Sequence, residues 1–396
     1  AAARAPSGPV APVSPRYRGA ANAALLLVLS LVCGFFAAGI NGWYEERDFH
    51  CFYVAGRIVA TGGDPYDVAQ FRPAVVAIPP SPAFALARCG QRLSYPPWTA
   101  VAFAPFGALP LPAAATLWAA LSVVAVVLGI SWTWQLIGPR SIGWPLVAVL
   151  VIGTEPFVRN LLEGQFAAFS FAFTASAVLS FRSRRDAQAG IATAALSVKP
   201  HTSVGFAAAL LGLALIRRRW RLLGYAAGSG LAFAGLIQLV RPGWLLEFFT
   251  AVTDLSGSVG DRATIWNLAG SGPLAIVLIA LLLSAVFVLV RGRRLTDNDA
   301  LGLGVALSLV AAPYAWSHDF VVLAIPWSMT LAYAMQLRPS RRRALMFSTV
   351  IVAAPLLWIL AATMQARHSE SLSVIVPIVS ALLLALAIRW GGARVV

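Results

Sequence analysis

The stretch that decides the fold is Leu274-Ala-Ile-Val-Leu-Ile-Ala-Leu-Leu-Leu-Ser-Ala-Val-Phe-Val-Leu-Val290, closed by Arg291-Gly-Arg-Arg294. It carries no charge and is apolar all round, so as a helix it has no face to offer water. Its length approaches the roughly 20 residues needed to cross a bilayer. The rest of the chain is of the same kind: 59% of its 396 residues are hydrophobic, 11% are charged, and the mean hydropathy is +0.78. Soluble domains are nearer 45–50% apolar and about 25% charged, so a single soluble core is excluded. The formal charge of +15 would suggest nucleic acid in a soluble protein. Here the arginines sit in short clusters at the ends of apolar runs, which is the positive-inside pattern of a membrane protein.

Outward from that run, apolar segments are predicted at 22–40, 97–109, 113–136, 144–157, 166–181, 187–198, 203–216, 222–240, 274–290, 300–313, 320–337, 344–364 and 373–388. Arginine clusters at 4–18, 182–185, 217–221, 291–294 and 338–343 are expected on the cytoplasmic side. Loops 41–96, 241–273, 314–319 and 365–372 then fall outside. Passing from outside at Tyr95 to inside at Arg182 requires an odd number of crossings. One of the four segments between them therefore does not span, and the proline-bounded 144–157 is expected to be re-entrant. The fold class is all-α, a polytopic bundle of about twelve spans with re-entrant or interfacial helices. Residues 1–19 read as a disordered cytoplasmic tail, and 22–40 as a retained first helix. Residues 20–396 read as a single membrane-embedded domain, with 41–96 its catalytic outer loop.

The first outer loop holds Glu45, Glu46, Asp48, Asp64 and Asp67, a third of the chain's 15 acidic residues. Helical spacing over 49–61 predicts a short amphipathic helix in the interface, with Asp48 at its N-cap. Lysine occurs once, at Lys199 within Ser-Val-Lys-Pro-His. The short segments around it predict a hairpin tip near the outer interface, with its ammonium offered to a lipid phosphate. His318 and Asp319, and likewise Trp266 and Asn267, fall in short outer loops on the side of Asp48. Cys51 and Cys89 share the oxidising outer loop and are expected to form a disulfide. The sequence contains no zinc-type cluster, no Gly-Lys-Ser/Thr phosphate loop and no Gly-x-Ser-x-Gly elbow. With no cytosolic domain to hold a nucleotide sugar, an outer site must take its activated donor from the membrane.

Several ordered stretches carry a resemblance. They are Asp48-Phe-His-Cys-Phe-Tyr-Val-Ala-Gly-Arg57, Gly63-Asp-Pro-Tyr-Asp67, Tyr95-Pro-Pro, Ala104-Pro-Phe-Gly-Ala-Leu-Pro110, Gly164-Gln165, Lys199-Pro200 and Trp316-Ser-His318. In this order the chain resembles glycosyltransferase family 87, membrane enzymes of the GT-C type that use polyprenyl-phosphate sugars. The resemblance implies an inverting hexosyl transfer, with mannose the expected sugar, from a polyprenyl-phosphate donor to a glycolipid or lipid-linked glycan acceptor. It implies Asp48 as general base with His318 beside it, and Lys199 with Arg57 at the donor phosphate. His50, Tyr53, Tyr95, Gln165, His201, Asn267 and Trp316 are the substrate-binding candidates. No metal, cofactor or nucleic acid is called for, and the expected location is a bacterial plasma membrane with an extracytoplasmic site. The chain departs from the mycobacterial pattern at His318-Asp319, where a His-His pair is expected, and over 68–93. A multispan lipid or solute transporter is the rival reading, since broken helices and a midplane cavity suit it equally.

Overall fold

The computed structural model describes residues 48–78, 89–137, 144–256, 262–367 and 369–391. The expected tail, the segment 22–40, Glu45 and Glu46 lie outside the described residues. Among these residues the secondary structure is entirely helical. The outer-loop region supplies α1 (Asp48–Ala60) and α2 (Val68–Ala77), followed by α3 (Pro97–Gly107) and α4 (Leu111–Ile137). The middle of the chain forms α5 (Trp144–Ile152), α6 (Glu155–Glu163), α7 (Ala167–Arg182), α8 (Asp186–Ala195), α9 (Pro200–Ile216), α10 (Trp220–Val240) and α11 (Trp244–Ser256). Then come α12 (Ile265–Ala269), α13 (Gly272–Val290), α14 (Asp297–Ala311), α15 (Ala324–Ala334), α16 (Pro339–Ala353), α17 (Pro355–Arg367) and α18 (Ile375–Gly391).

Among the described residues, five helical stretches are long and apolar enough to cross a membrane: Leu111–Ile137, Trp220–Leu239, Gly272–Val290, Pro339–Thr363 and Ser371–Gly391. Together with the family evidence given below, they make this a membrane protein. α10 shows why tertiary packing alone cannot explain such helices. Leu231, Leu236 and Leu239 on it are exposed, Leu239 by 84%, which is tolerable only where the solvent is hydrocarbon. Two expected segments are broken. Residues 144–157 divide between α5 and α6, because Thr154 is extended and Pro156 opens a new helix. Residues 344–364 divide at Ala354, ahead of Pro355, since proline disfavours a helical residue before it.

Among the described residues, the arginine clusters at 182–185, 217–221, 291–294 and 338–343 gather at one end of the bundle. Arg219 pairs with Asp186 and lies 4.2 Å over the Phe181 ring. Arg217 reaches Asp297 at 2.7 Å, tying the turn after α9 to the start of α14. Arg389 donates to the Leu289 carbonyl at 3.2 Å, and Arg341 lies over the Trp390 ring. From this end α7, α9 and α14 run to the opposite end, where Gln165, Lys199 and Trp316-Ser-His-Asp319 follow or precede them directly.

At that opposite end α1 packs on α3 at backbone contact. A Cβ at Gly56 would lie 2.2 Å from the Phe103 carbonyl oxygen, and one at Gly107 would lie 2.1 Å from the Arg57 nitrogen. Only glycine permits this approach, the small-residue packing typical of membrane helices. It also corrects an expectation. Nine residues of α1, from Phe49 through Gly56 and Ile58, are buried, so the helix is enclosed by α2 and α3 and does not lie amphipathically in the interface. Cys51 on α1 is joined to Cys89 by a disulfide with a Cα–Cα distance of 5.3 Å. Closing a loop of 38 residues stabilises by about 4 kcal/mol on chain entropy. Cys51→Ser is therefore expected to lower the thermal midpoint clearly. Thiol counting without reductant should find one free cysteine, Cys33; three would overturn the pairing.

Candidate active site

The first turn of α1 presents Asp48, half-buried, toward the loop between α6 and α7. That loop is shaped by Gly164, whose φ of +64° is the left-handed conformation that ends α6. A side chain there would also lie 2.5 Å from the Phe49 Cβ. The next residue, Gln165, donates from Nε2 to Asp48 Oδ2. Its Oε1 accepts from Lys199 Nζ at 2.9 Å and from the Tyr95 hydroxyl at 3.1 Å. Two donors on the oxygen fix the amide's orientation, so the nitrogen must face the carboxylate. Burial first, then the Asp48 carboxylate, hold the Tyr95 phenol well above its ordinary range, which keeps it a donor.

Beneath this pair lies Lys199, fully buried at the start of α9. Its ammonium is 2.5 Å from Asp319 Oδ1 and 3.1 Å from His318 Nε2. An ammonium has no lone pair, so His318 Nε2 is the acceptor and that nitrogen carries no proton. With Gln165 the ammonium thus has two hydrogen-bond partners and one ion-pair partner. The sequence expectation for Lys199 is thereby corrected. It does lie at the turn between α8 and α9, but it is fully buried there and its charge is offset by Asp319. Asp319 is in turn held by the Trp316 amide, which donates to Oδ2 at 3.0 Å.

The structure thus brings Asp48, Tyr95, Gln165, Lys199 and His318 into one network. His201 and Trp316 line its edge through Tyr314, with ring centroids 5.0 and 6.2 Å from that tyrosine. Arg262, half-buried, stacks 4.7 Å over the same Tyr314 ring. The other candidates are placed elsewhere. His50 Nε2 lies 3.2 Å from the Val75 carbonyl on α2, and burial pushes its pKa down. The Tyr53 hydroxyl donates to the Leu109 carbonyl at 2.8 Å, with exposed Arg57 3.5 Å from it, at the far end of α3. Asn267 sits in α12, where its amide donates to Thr264 Oγ1 at 3.3 Å. Tyr314 and Arg262 are not among the sequence candidates, and Asp319 is singled out there only beside His318, not as the partner of Lys199. A lone buried lysine demands a counter-charge, and that demand was the available signal for Asp319.

An apolar cavity of about 520 Å³ opens between α3, α8, α9 and α10. Trp98, Leu196, Phe233 and Leu211 are among its walls, and it reaches Ser197 and Pro200 on either side of Lys199.

With this geometry in place, comparison with known proteins decides the family. The model of glycosyltransferase family 87 matches residues 93–316, more than half of the chain. The chain belongs to glycosyltransferase family 87. The family match takes in Tyr95, Gln165, Lys199, His201, Asn267 and Trp316, whereas Asp48 precedes it and His318 and Asp319 follow it. Two relatives are each named a polyprenol-phosphate-mannose-dependent alpha-(1-2)-phosphatidylinositol pentamannoside mannosyltransferase. That of Mycobacterium tuberculosis is 27% identical over 270 residues, covering 63% of this chain and 59% of the relative. That of Mycolicibacterium smegmatis is 28% identical over 262 residues, covering 61% of each. The chain therefore spans about three fifths of the length of the curated relatives it matches. No solved structure matches the chain.

Proposed function

We propose that the protein transfers a mannosyl group, with inversion, from a polyprenyl-phosphate donor to a hydroxyl of a lipid-linked glycan such as a phosphatidylinositol mannoside. The observation that carries this reading is a half-buried carboxylate, Asp48, oriented by a buried relay through Gln165 to Lys199. Asp48 takes the acceptor hydroxyl proton as the new C–O bond forms at the anomeric carbon. The bond from that carbon to the phosphate oxygen breaks, and polyprenyl phosphate departs with the electron pair. A phosphate is already a weak base, so it needs a nearby cation and not a general acid. Arg262 at the rim, over Tyr314, is better placed for this than buried Lys199. The apolar cavity beside Ser197 and Pro200 suits the isoprenoid chain of such a donor.

The site faces the extracytoplasmic side of a bacterial plasma membrane in this proposal, opposite the arginine end, as the positive-inside bias requires. α8 and the turn Leu196–Val198 rise only about 20 Å from the arginine end, short of the ~30 Å hydrocarbon core. The site is thus sunk below the outer surface, within reach of a lipid phosphate. We place residues 20–396 in one membrane-embedded domain of about twelve crossings, with 41–96 as its catalytic outer loop.

Two measurements test this. Purified protein given polyprenyl-phosphate mannose and a phosphatidylinositol mannoside should yield a linkage whose anomeric configuration, read by NMR, is opposite to the donor's. Retained configuration, or movement of lipid with no new glycosidic bond, would favour another mechanism or the transporter. For sidedness, single cysteines replacing exposed Ser271 and Ser183 in a Cys33→Ala background should label differently in intact cells. Ser271→Cys is expected to react from outside and Ser183→Cys only after permeabilisation; the reverse pattern would invert the topology.

A further inference from the structure

A second polar group adjoins the site and plays no part in the mechanism above. Arg159 on α6 is ringed by three carboxylates: Glu370 Oε1 at 2.5 Å, Glu155 Oε1 at 3.7 Å and Glu163 Oε1 at 4.0 Å. Ser317 lies at the centre. Its amide donates to Glu370 Oε2 at 2.7 Å, its hydroxyl donates to Glu155 Oε1 at 2.9 Å, and its Oγ accepts from Arg159 at 3.1 Å. Both the backbone and the side chain of one serine are therefore held, by α6 on one side and by the residue before the turn Ser371–Val374 on the other. The residues that follow Ser317 are His318 and Asp319, the two that hold Lys199.

Buried carboxylates are costly unless they are hydrogen-bonded and paired. Glu370 and Glu155 are 2% and 3% exposed, so keeping them here needs a compensating gain. The bundle could close with apolar side chains at these positions. What apolar side chains could not do is fix the Ser317 amide and hydroxyl in one orientation.

We infer that Arg159, Glu155 and Glu370 are positioning residues that clamp Ser317, and through His318, Asp319, Lys199 and Gln165 set the orientation of the Asp48 carboxylate. This rests on the proposed glycosyl transfer only for its kinetic readout. The clamp also has a pH sense. Burial is the largest influence on Glu370 and moves its pKa up to about 7, against the lowering effect of Arg159. The groups that face it are Arg159 and Glu155 from α6 and Asp319 from the turn after Ser317. A raised carboxylate pKa means the Arg159–Glu370 pair is complete above pH 7 and is lost as pH falls through it.

The test compares Glu370→Gln, Glu370→Ala and wild type by steady-state kinetics and by amide hydrogen exchange in detergent. Glu370→Ala is expected to lower kcat by up to about 10²-fold with KM nearly unchanged, the scale for a small misplacement of a reacting group. Glu370→Gln keeps an acceptor for the Ser317 amide and should recover part of that loss. The wild-type fall in kcat below pH 7 should be absent in the Gln variant. Independently of turnover, exchange at the Ser317 amide should quicken in Glu370→Ala while the amides of α4 remain protected. Unchanged exchange at Ser317 in a folded Glu370→Ala protein overturns the clamp whatever the activity. So does full kcat with the wild-type pH profile. If wild type transfers no mannose, the proposed function fails while the exchange arm still reads the clamp.

Discussion

Asp48→Asn is expected to reduce turnover by at least ~10²-fold, the contribution a general base commonly makes, while leaving the fold and donor binding nearly intact. The substitution keeps size and shape. The new side-chain oxygen can still accept from Gln165 Nε2, through which the relay reaches this position. What is lost is the ability to take up the acceptor's proton. If Asp48 only stabilised the start of α1, the effect would be a stability loss of about 1–2 kcal/mol with most activity surviving. Thermal unfolding and initial rates on the same preparation separate the two outcomes. Asp64 is the internal control, because Arg241 engages it at 3.1 Å away from the relay. Asp64→Asn should cost stability more than turnover.

Lys199→Ala carries the second large expected effect, and here stability falls together with activity. Removing the ammonium leaves the Asp319 carboxylate, 3% exposed, without its 2.5 Å counter-ion. Breaking a buried pair from one side typically costs ~3–5 kcal/mol. The Gln165 amide also loses one of the two donors that fix its orientation. The double variant Lys199→Met/Asp319→Asn removes both charges while retaining an acceptor for the Trp316 amide. It should regain most of the lost stability and little of the activity. Melting temperatures in detergent for Lys199→Met, Asp319→Asn and the double variant give the coupling directly. A Lys199→Ala protein as stable as wild type would contradict the buried pairing.

Much of the site is legible in the sequence because the chain is so apolar. An isolated polar residue in such a background is expensive to keep, so Asp48 and the lone Lys199 stand out by residue type, while His318 is raised by its shared side with Asp48 and Gln165 by the family resemblance. The partners of those residues are not legible. Nothing local says that Asp319 meets Lys199, since the helices that join them are set by tertiary packing. The spacing of Glu155, Arg159 and Glu163 reads like an ordinary solvated helix face with pairs at i,i+4. Only the approach of Ser317 and Glu370 shows that this face is inside. The amphipathic reading of 49–61 fails for a similar reason. Gly56 lies on the apolar face with Phe49, Phe52 and Tyr53, which α3 covers at backbone contact; the opposite face is buried as well because α2 reaches it, with His50 against the Val75 carbonyl. The span expected over 344–364 overlaps Pro339–Thr363, but it is interrupted at Ala354 ahead of Pro355, a local restriction readable from the sequence.

The most direct measurement is mass spectrometry of the lipids formed when wild type and Asp48→Asn, each in proteoliposomes, receive polyprenyl-phosphate mannose and a phosphatidylinositol mannoside. The expected result is an acceptor heavier by one hexose with wild type, no such product when a nucleotide-linked mannose replaces the lipid donor, and at least ~10²-fold less product with the variant. Equal product from both proteins, or transfer that needs only the nucleotide sugar, would contradict a lipid-fed site built around Asp48.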